Sequence, residues 1–549
     1  MFYNPSMILT EPEFSSRRSP VLATRGMVAA SQTQAAAAGV QLLRAGGSAA
    51  DAAVAAAAVL NVTEPCSTGV GGDCFALYFE AATGNVTALN GSGRAPAALT
   101  LELLQAQGFG EALPELHAHT VTVPGACAGW CDLVARHGRL PMSAVLAPAI
   151  ELAERGFPVA PITAHAWAAG AQRQLQRSAA GAELLLDGQA PRAGQIFRNP
   201  TLAHTLRQIA SNGPGAFYHG AIAKAIARTV QEHGGTLSEA DLAAHSSTWD
   251  TPLRSRYRNV DVWECPPNGQ GLTALLALNI LSGFDLKATP PRSAARWHIM
   301  IEALRLAFAD TRWYIADPRC SAVPIAELLS AHYAARRRSL INTQRANNSH
   351  ARGRPATSSD TVYLCVVDAA GNACSFINSN YSGFGTGLVP PGCGFTLQNR
   401  GHNFSLEPGH PNCVAPHKRP YHTIIPGMLT RAADGSLLAP FGVMGGFMQP
   451  QGHLQVVVSL VDDGLDPQSA LDQPRFCITD GTSGGDVALE AGTPLQTAAE
   501  LAALGHVTHT VHGYARSLFG RGQIIVRQPD GVLWGGSDPR ADGCAQALD

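Results

Sequence analysis

Thr361 carries the residue-level chemistry of a nucleophile. It opens an apolar, strand-like run, Thr361 to Val367 (TVYLCVV), directly after a ragged polar stretch, Arg345 to Ser359 (RANNSHARGRPATSS). A cut between Asp360 and Thr361 would free an α-amine beside the Thr361 hydroxyl. One residue would then supply both a nucleophile and its base. A free α-amine has a pKa of roughly 7.7–8.0, so much of it can accept a proton near neutral pH. A hydroxyl that attacks an amide also needs donors for the oxyanion it creates. Gly445 and Gly446 follow a run ending at Val443 and offer backbone N–H groups with no side chain in the way. From pattern alone the plain alternative stays open: Thr361 begins an ordinary strand, and Gly445-Gly446 is a turn.

Other chemistries lack their residues. The twelve cysteines form no C-x-x-C pair. Cys127 and Cys131 share a helix face without a nearby His to complete a zinc set, so the cysteines read as small buried hydrophobes in a reducing compartment. No H-E-x-x-H occurs, and His117 and His119 read as surface histidines. Gly383, Gly385 and Gly387 (GFGTG) resemble half of a nucleotide fingerprint but lack the helix that must follow. A net charge of −2 leaves no electrostatic footprint for nucleic acid. The Ala-rich stretch from Ala49 to Val62 is too short to span a membrane and is interrupted by Asp51 and Asn61. The first residues (MFYNPSMILTEPEF) show no basic segment followed by an apolar one. The expectation is a cytoplasmic protein with a small-molecule substrate and neither nucleic acid nor membrane as partner.

The elements that must position Thr361 follow from periodicity and turn chemistry. With 549 residues, 46% of them hydrophobic, the chain can bury a sizeable core. Before about residue 360 it reads as mostly helical with a few hairpins. Helices are expected at Gln34 to Ala45, from Ser48 through the alanine run with Asp51 as capping-box partner, and at Gly125 to Arg136, Ala221 to Glu232, Leu272 to Leu281 and Ala294 to Tyr314. Phe75 to Phe79 and Val86 to Leu89 read as a hairpin. Later hairpins are expected at Thr361 to Val367 with Ala373 to Asn378, Ile424 to Thr430 with Leu437 to Val443, and Ile524 to Arg527 with Val532 to Trp534. Further helices are expected at Gln451 to Asp462 and Pro467 to Leu471. Antiparallel hairpins in both halves, each accompanied by helices, point to two facing sheets with helices on both outer sides rather than a doubly wound parallel sheet. CFALYFEAATGNVTALNGS (from Cys74) and TVYLCVVDAAGNACSFINS (from Thr361) echo one another in strand, turn and strand order, which reads as chance.

Ordered motifs make the chain resemble the γ-glutamyltransferase family of N-terminal-nucleophile hydrolases. They run from GMVAASQ (Gly26 to Gln32) and LRAGGSAADAAVAAAAVLNVTEPCSTGVGGD (Leu43 to Asp73) through VTVPGACAGW (Val121 to Trp130), GPGAFYHG (Gly213 to Gly220) and PPNGQG (Pro266 to Gly271). They continue with DTVYLCVVD (Asp360 to Asp368), FGTG (Phe384 to Gly387), KRPYHTIIP (Lys418 to Pro426), GVMGG (Gly442 to Gly446) and GGSDPR (Gly535 to Arg540). The resemblance implies an α+β fold, a four-layer αββα sandwich. It implies a precursor that cuts itself between Asp360 and Thr361 into a large subunit, 1–360, and a small subunit, 361–549, forming one intertwined αβ heterodimer that can pair further. By the same comparison Thr361 is the nucleophile, Gly445 and Gly446 form the oxyanion site, and Ser379 is the hydroxyl that supports the nucleophile. No metal or organic cofactor is implied.

The specificity residues depart from the family pattern. Where γ-glutamyl enzymes bind the α-carboxylate with Arg, this chain has Ser92, with Arg94 two residues later. The acidic pair that holds the α-amine reads His402-Asn403, the Asn beyond Ser379 is replaced by Tyr381, and the serine pair reads His422-Thr423. Loss of the anionic partner of an ammonium costs on the order of 2–5 kcal/mol. This pattern resembles a branch of the family that includes oxamate amidohydrolase and the cephalosporin acylases. It implies hydrolysis of the amide of a small carboxylate-bearing substrate, oxamate-type, with Arg94 on the carboxylate and Tyr381, His402, Asn403, His422 and Thr423 adding contacts. The alternatives are a glutathione hydrolase or γ-glutamyltransferase, and an uncleaved binding protein without catalysis. Residues 408–419 (PGHPNCVAPHKR), rich in Pro and Gly, read as a lid.

Overall fold

Alternation along one strand sets the layering. In a computed structural model that describes residues 18–347 and 361–548, the strand Val362–Val367 sends Val362, Leu364 and Val366 into one hydrophobic cluster and Tyr363, Cys365 and Val367 into another. Both faces of this strand are therefore buried, one against helices and one against a second sheet.

The first sheet has seven strands, in the order Cys544–Ala547, Met27–Ala30, Val362–Val367, Ala373–Ser379, Asp73–Glu80, Asn85–Gly91 and Thr248–Asp250. The second also has seven: Val21–Ala23, Leu533–Ser537, Arg521–Arg527, Leu437–Met444, Gly427–Arg431, Val260–Glu264 and Leu253–Tyr257. Every pairing within these two sheets is antiparallel. Phe75, Tyr363, Ile377, Ile424, Met428 and Ile525 fill the space between the sheets. Helices including Thr33–Arg44, Ala49–Thr63 and Ala126–His137 cover the first sheet, and Gly271–Leu281, Ala294–Tyr314 and Met448–Val461 cover the second. The result is the expected four-layer αββα sandwich. Each sheet draws strands from both sides of residue 360, so the two segments interleave.

The helix Ala49–Thr63 shows why the alanines are there. All of its residues are buried, and small side chains let its backbone lie close to the central strands of the first sheet. Its start is fixed by the expected capping box between Ser48 and Asp51. The Asp368 carboxylate, in the turn after Val367, also accepts from Ala49 N at 3.1 Å, which ties this helix to the hairpin that begins at Thr361.

Most expected elements are present within one to three residues of their predicted ends. The sequence reading missed the edge strand Val21–Ala23, the inner strand Met27–Ala30, the hairpin over 253–264, and the helices Met142–Arg155, Pro161–Arg173 and Pro200–Asn212. The two echoing hairpins prove to be neighbours: Ala373–Ser379 pairs with Asp73–Glu80 at the centre of the first sheet. His119 is buried rather than on the surface and hydrogen-bonds to Gln107, because the 3-10 turn Ala118–Thr120 tucks inward. Among the described residues no helix is long and apolar enough to cross a membrane.

Candidate active site

Antiparallel register brings Thr361 and Ser379 together. Val362 pairs with Asn378, so the next residue out on each strand faces the other, and Thr361 Oγ1 lies 3.0 Å from Ser379 Oγ. Both side chains are fully buried. Asp360, on the other side of the expected cut, lies outside the described residues. Ser379 is itself opposite Asp73 in the next strand. The glycines of GVGGD permit this packing: a Cβ on Gly72 would sit 2.3 Å from the Ser379 carbonyl oxygen.

From Ser379 a polar network runs to the Gly445-Gly446 turn. Tyr381 N donates to Ser379 Oγ at 2.8 Å, and the Tyr381 hydroxyl donates to Asn403 Oδ1 at 2.8 Å. Tyr381 holds φ +79, a left-handed conformation unusual for a bulky residue. The Arg400 guanidinium stacks on that ring, 4.6 Å from its centroid. Arg400 Nη1 donates to Thr423 Oγ1 at 2.7 Å. The Thr423 carbonyl accepts from Gln270 Nε2, which also donates to the Gly446 carbonyl at 2.8 Å. Gly445 and Gly446 have φ +127 and +55, conformations that side chains disfavour. Their carbonyls accept from Met448 N and Gln449 N and so start the next helix.

Asp73 is the anion at the centre of this network. Its Oδ1 accepts from Gly93 N at 2.9 Å, and its Oδ2 lies 3.0 Å from His422 Nε2 and 3.8 Å from Arg400 Nε. Burial pushes its carboxyl up to about 6 against the pull of Arg400. Ile424 N donates to His422 Nδ1, so the proton sits on Nε2 and points at Asp73. Burial holds His422 well below the usual imidazole range, which makes it a neutral donor. Burial also lowers Arg400, to about 10. Arg400 is completely buried, yet neither its Nε nor its Nη2 has a hydrogen-bond partner among the described residues. A cation with two open donors, next to a single carboxylate beyond hydrogen-bond reach, is arranged to receive an anion.

The residues expected from sequence divide into those in the network and those beside it. Thr361, Ser379, Tyr381, Asn403, Thr423, Gly446 and, through Asp73, His422 are linked as described. His402 Nδ1 donates instead to the Leu113 carbonyl at 2.8 Å. Arg94 is bonded outside this network. Its Nη1 donates to the Ser246 carbonyl, and no hydrogen bond of its guanidinium joins the Thr361 network among the described residues. In the same loop Arg94 O and the Ala95 backbone are tied to Val123, His417 and Lys418. Ser92 is satisfied by Asn90. Residues 408–419, read as a lid, are pinned by Lys418 Nζ to the Pro411 and Cys413 carbonyls, by Asn412 Nδ2 to Asn403 O, and by Arg419 to the carbonyls of Ser92 and Asn90. Sequence reasoning missed Arg400, Asp73 and Gln270. Arg400 stands two residues before His402 in the NRGHNFS motif, but nothing in spacing marks it as buried.

A family model for gamma-glutamyltranspeptidase matches residues 35–548. The chain is 35% identical over 542 residues to the glutathione hydrolase-like YwrD proenzyme of Bacillus subtilis, covering 96% of this chain and 99% of that one. It is 35% identical to the oxamate amidohydrolase proenzyme of Klebsiella pneumoniae, covering 95% and 98%. The solved cephalosporin acylase from Bacillus halodurans matches with a TM-score of 0.90 and 45% identity over 100% of both chains. A buried threonine at a strand start, a glycine turn linked to it through hydrogen bonds and the Arg400–Tyr381 stack, and proenzyme relatives of the same length agree with one another: the chain belongs to the γ-glutamyltranspeptidase family and is a self-processing N-terminal-nucleophile amidohydrolase.

Proposed function

We propose that the chain cuts itself before Thr361 and then hydrolyses the amide of a small substrate that carries a carboxylate next to the scissile carbonyl, as oxamate does. The observation that carries this reading is Arg400, a buried guanidinium with two open donors inside the Thr361 network. A planar carboxylate fits such a fork, and Thr423 and Asp73 hold the fork in place. The absence of an acid at His402-Asn403 supports a substrate with no ammonium to bind. Asn403 Oδ1 is already engaged by Tyr381.

In self-processing the Thr361 hydroxyl attacks the Asp360 carbonyl carbon. The peptide C–N bond breaks, the nitrogen takes the proton, and water then opens the ester. In turnover the Thr361 hydroxyl gives its proton to the freed α-amine as its oxygen bonds to the substrate carbonyl carbon. The backbone N–H groups of Gly445 and Gly446 hold the oxyanion. Collapse breaks the C–N bond, and the amine returns the proton to the departing nitrogen, releasing ammonia from oxamate. Water attacks the acyl ester with the α-amine again as base, which frees oxalate and Thr361. Ser379, 3.0 Å away, orients the hydroxyl throughout.

A second reading, release of the acyl group from a cephalosporin, is favoured by the 45% identity to the B. halodurans acylase. Side-by-side turnover of oxamate, a cephalosporin and a γ-glutamyl anilide separates the readings. Ammonia from oxamate, with the anilide inert, is the expected result; turnover of the anilide alone overturns it. Thr361→Ala should leave one full-length chain by intact mass and lower turnover by roughly 10⁴-fold or more.

A further inference from the structure

The helix Ala294–Tyr314 carries His298 and Glu302 one turn apart on its buried face, far from Thr361 in sequence and in layer. His506, just before the strand Thr508–Val511, meets them there. One nitrogen from each histidine and one oxygen of Glu302 all lie within 4.8 Å of one another. The protons can be assigned from the neighbours. His298 Nε2 lies 2.8 Å from the Asn342 carbonyl, which only accepts, so that nitrogen carries a proton. In a neutral ring Nδ1 is then a bare acceptor. It faces His506 Nε2 at 2.8 Å, so His506 must donate there, and its own Nδ1 becomes a lone pair. That Nδ1 is buried with no hydrogen-bond partner among the described residues, and so is Glu302 Oε1. Buried acceptors without donors are costly, at about 1–3 kcal/mol each.

We propose that His298, Glu302 and His506 form a binding site for a divalent transition-metal ion of the zinc type. Two imidazole nitrogens and a carboxylate oxygen are the ligand set such ions prefer, with a remaining position for water. The His298 Nδ1 lone pair already points inward, oriented by the bond from Nε2–H to the Asn342 carbonyl, the outer support that metal-binding imidazoles use. His506 needs only to move its proton from Nε2 to Nδ1. Glu302 is steadied by Asn347 N at 3.2 Å on Oε2 and by Arg305, whose Nη atoms are fixed on the Ser483 and Gly485 carbonyls. Asn342 to Arg345 are exposed, so the site lies under a thin strap through which an ion can enter.

The position gives the ion a purpose apart from catalysis. His298 and Glu302 precede the expected cut, and His506 follows it. The strap, residues 342–347, precedes that cut in the sequence and is also bonded to the later segment through Ala346 N and the Leu504 carbonyl, at 2.7 Å. A bound ion would fasten the end of the large segment to the small one after processing.

The test uses the full protein, stripped with a chelator and titrated with Co²⁺ and then Zn²⁺. The expected result is about one equivalent of Co²⁺ with a visible ligand-field band, displaced by Zn²⁺, and the same in uncleaved Thr361→Ala. Binding would thus be read independently of processing and of substrate. His506→Gln and Glu302→Gln should each weaken binding by more than the roughly 10–100-fold that loss of an outer hydrogen-bond partner costs. Wild-type protein that takes up no Co²⁺ overturns the proposal. So does uptake that both variants retain, which would place the ion on other histidines.

Discussion

Two fully buried arginines, Arg400 and Arg540, sit in opposite electrostatic circumstances. Arg540 is saturated. Its Nε and Nη2 reach Glu490, its Nη1 reaches Asp538 and the Leu471 carbonyl, and Nη2 also donates to the Gln473 carbonyl. Arg475 and Arg516 share the same two carboxylates. These carboxylates hold the Arg540 charge firmly, so its pKa is raised, while Glu490 and Asp538 are lowered by the arginines around them. Arg400 has one distant carboxylate and two donors without acceptors, and burial lowers its pKa. Both cations pay the desolvation cost of burial. Arg540 recovers it from two carboxylates and two carbonyls; Arg400 recovers only part of it, from Thr423, the Tyr381 ring and the more distant Asp73. A buried charge that is completely satisfied holds a fold together, and one left incomplete marks a site.

Breaking the saturated pair should have the largest effect on stability. Arg540→Gln leaves Glu490 with only Arg516 and Asp538 with only Arg475, two buried carboxylates that have lost their shared cation, and should destabilise the fold by about 3–5 kcal/mol in denaturant unfolding. A loss under 1 kcal/mol would erase the contrast. Arg400→Gln should do the reverse: stability within about 1 kcal/mol of wild type, while kcat/KM for a carboxylate-bearing amide falls by a factor worth about 2–4 kcal/mol of lost contact. Equal losses for a substrate and for its analogue without the carboxylate would argue that Arg400 only props up the site.

Acid should separate the two regions further. Asp73 has a folded pKa raised to about 6, above its unfolded value. The folded state therefore binds the extra proton, and this group's contribution to stability grows as pH falls through 6 toward about 4. The same protonation removes the anion facing Arg400 and His422, so kcat/KM should lose activity on an acid limb near pH 6 while the fold persists. Glu490 and Asp538 have depressed folded pKa values. Their stabilisation is complete above the unfolded carboxylate range and is lost only as pH falls below about 4 toward those depressed values. Circular dichroism and initial rates on one pH series test both limbs. Coincident transitions would refute the separation. The smallest effect expected is that of Tyr381→Phe. Removing the hydroxyl bond to Asn403 should cost about 1 kcal/mol in kcat/KM and leave the ring under Arg400 intact.

Much of this architecture was readable in the chain. Alternating apolar runs with Asp-Gly and Ala-Gly-Asn turns predict the hairpins, and Ser48 with Asp51 predicts the start of the alanine helix, because local geometry decides both. Short edge strands such as Val21–Ala23 escaped because three residues carry no period to detect. Arg94 and Arg400 show the limit at the site. Arg94 lies in a loop and Arg400 opens the 3-10 turn Arg400–Asn403, and motif position favoured the first. Loop bonding to Val123 and Lys418 and the bond to the Ser246 carbonyl occupy Arg94 elsewhere, while stacking on Tyr381 and the bond to Thr423 hold Arg400 within the network.

The sequence by itself determined the family, the layered fold and Thr361 as the candidate nucleophile, since ordered motifs and strand periodicity are local properties of the chain. Tertiary structure alone decided which charges are left incomplete. Asp73, Gln270, Arg400 and Thr423 meet around Thr361 from four separate stretches of chain, and His298, Glu302 and His506 meet across the expected cut. Burial, hydrogen-bond satisfaction and pKa depend on neighbours brought together by packing, and spacing along the chain does not specify those neighbours.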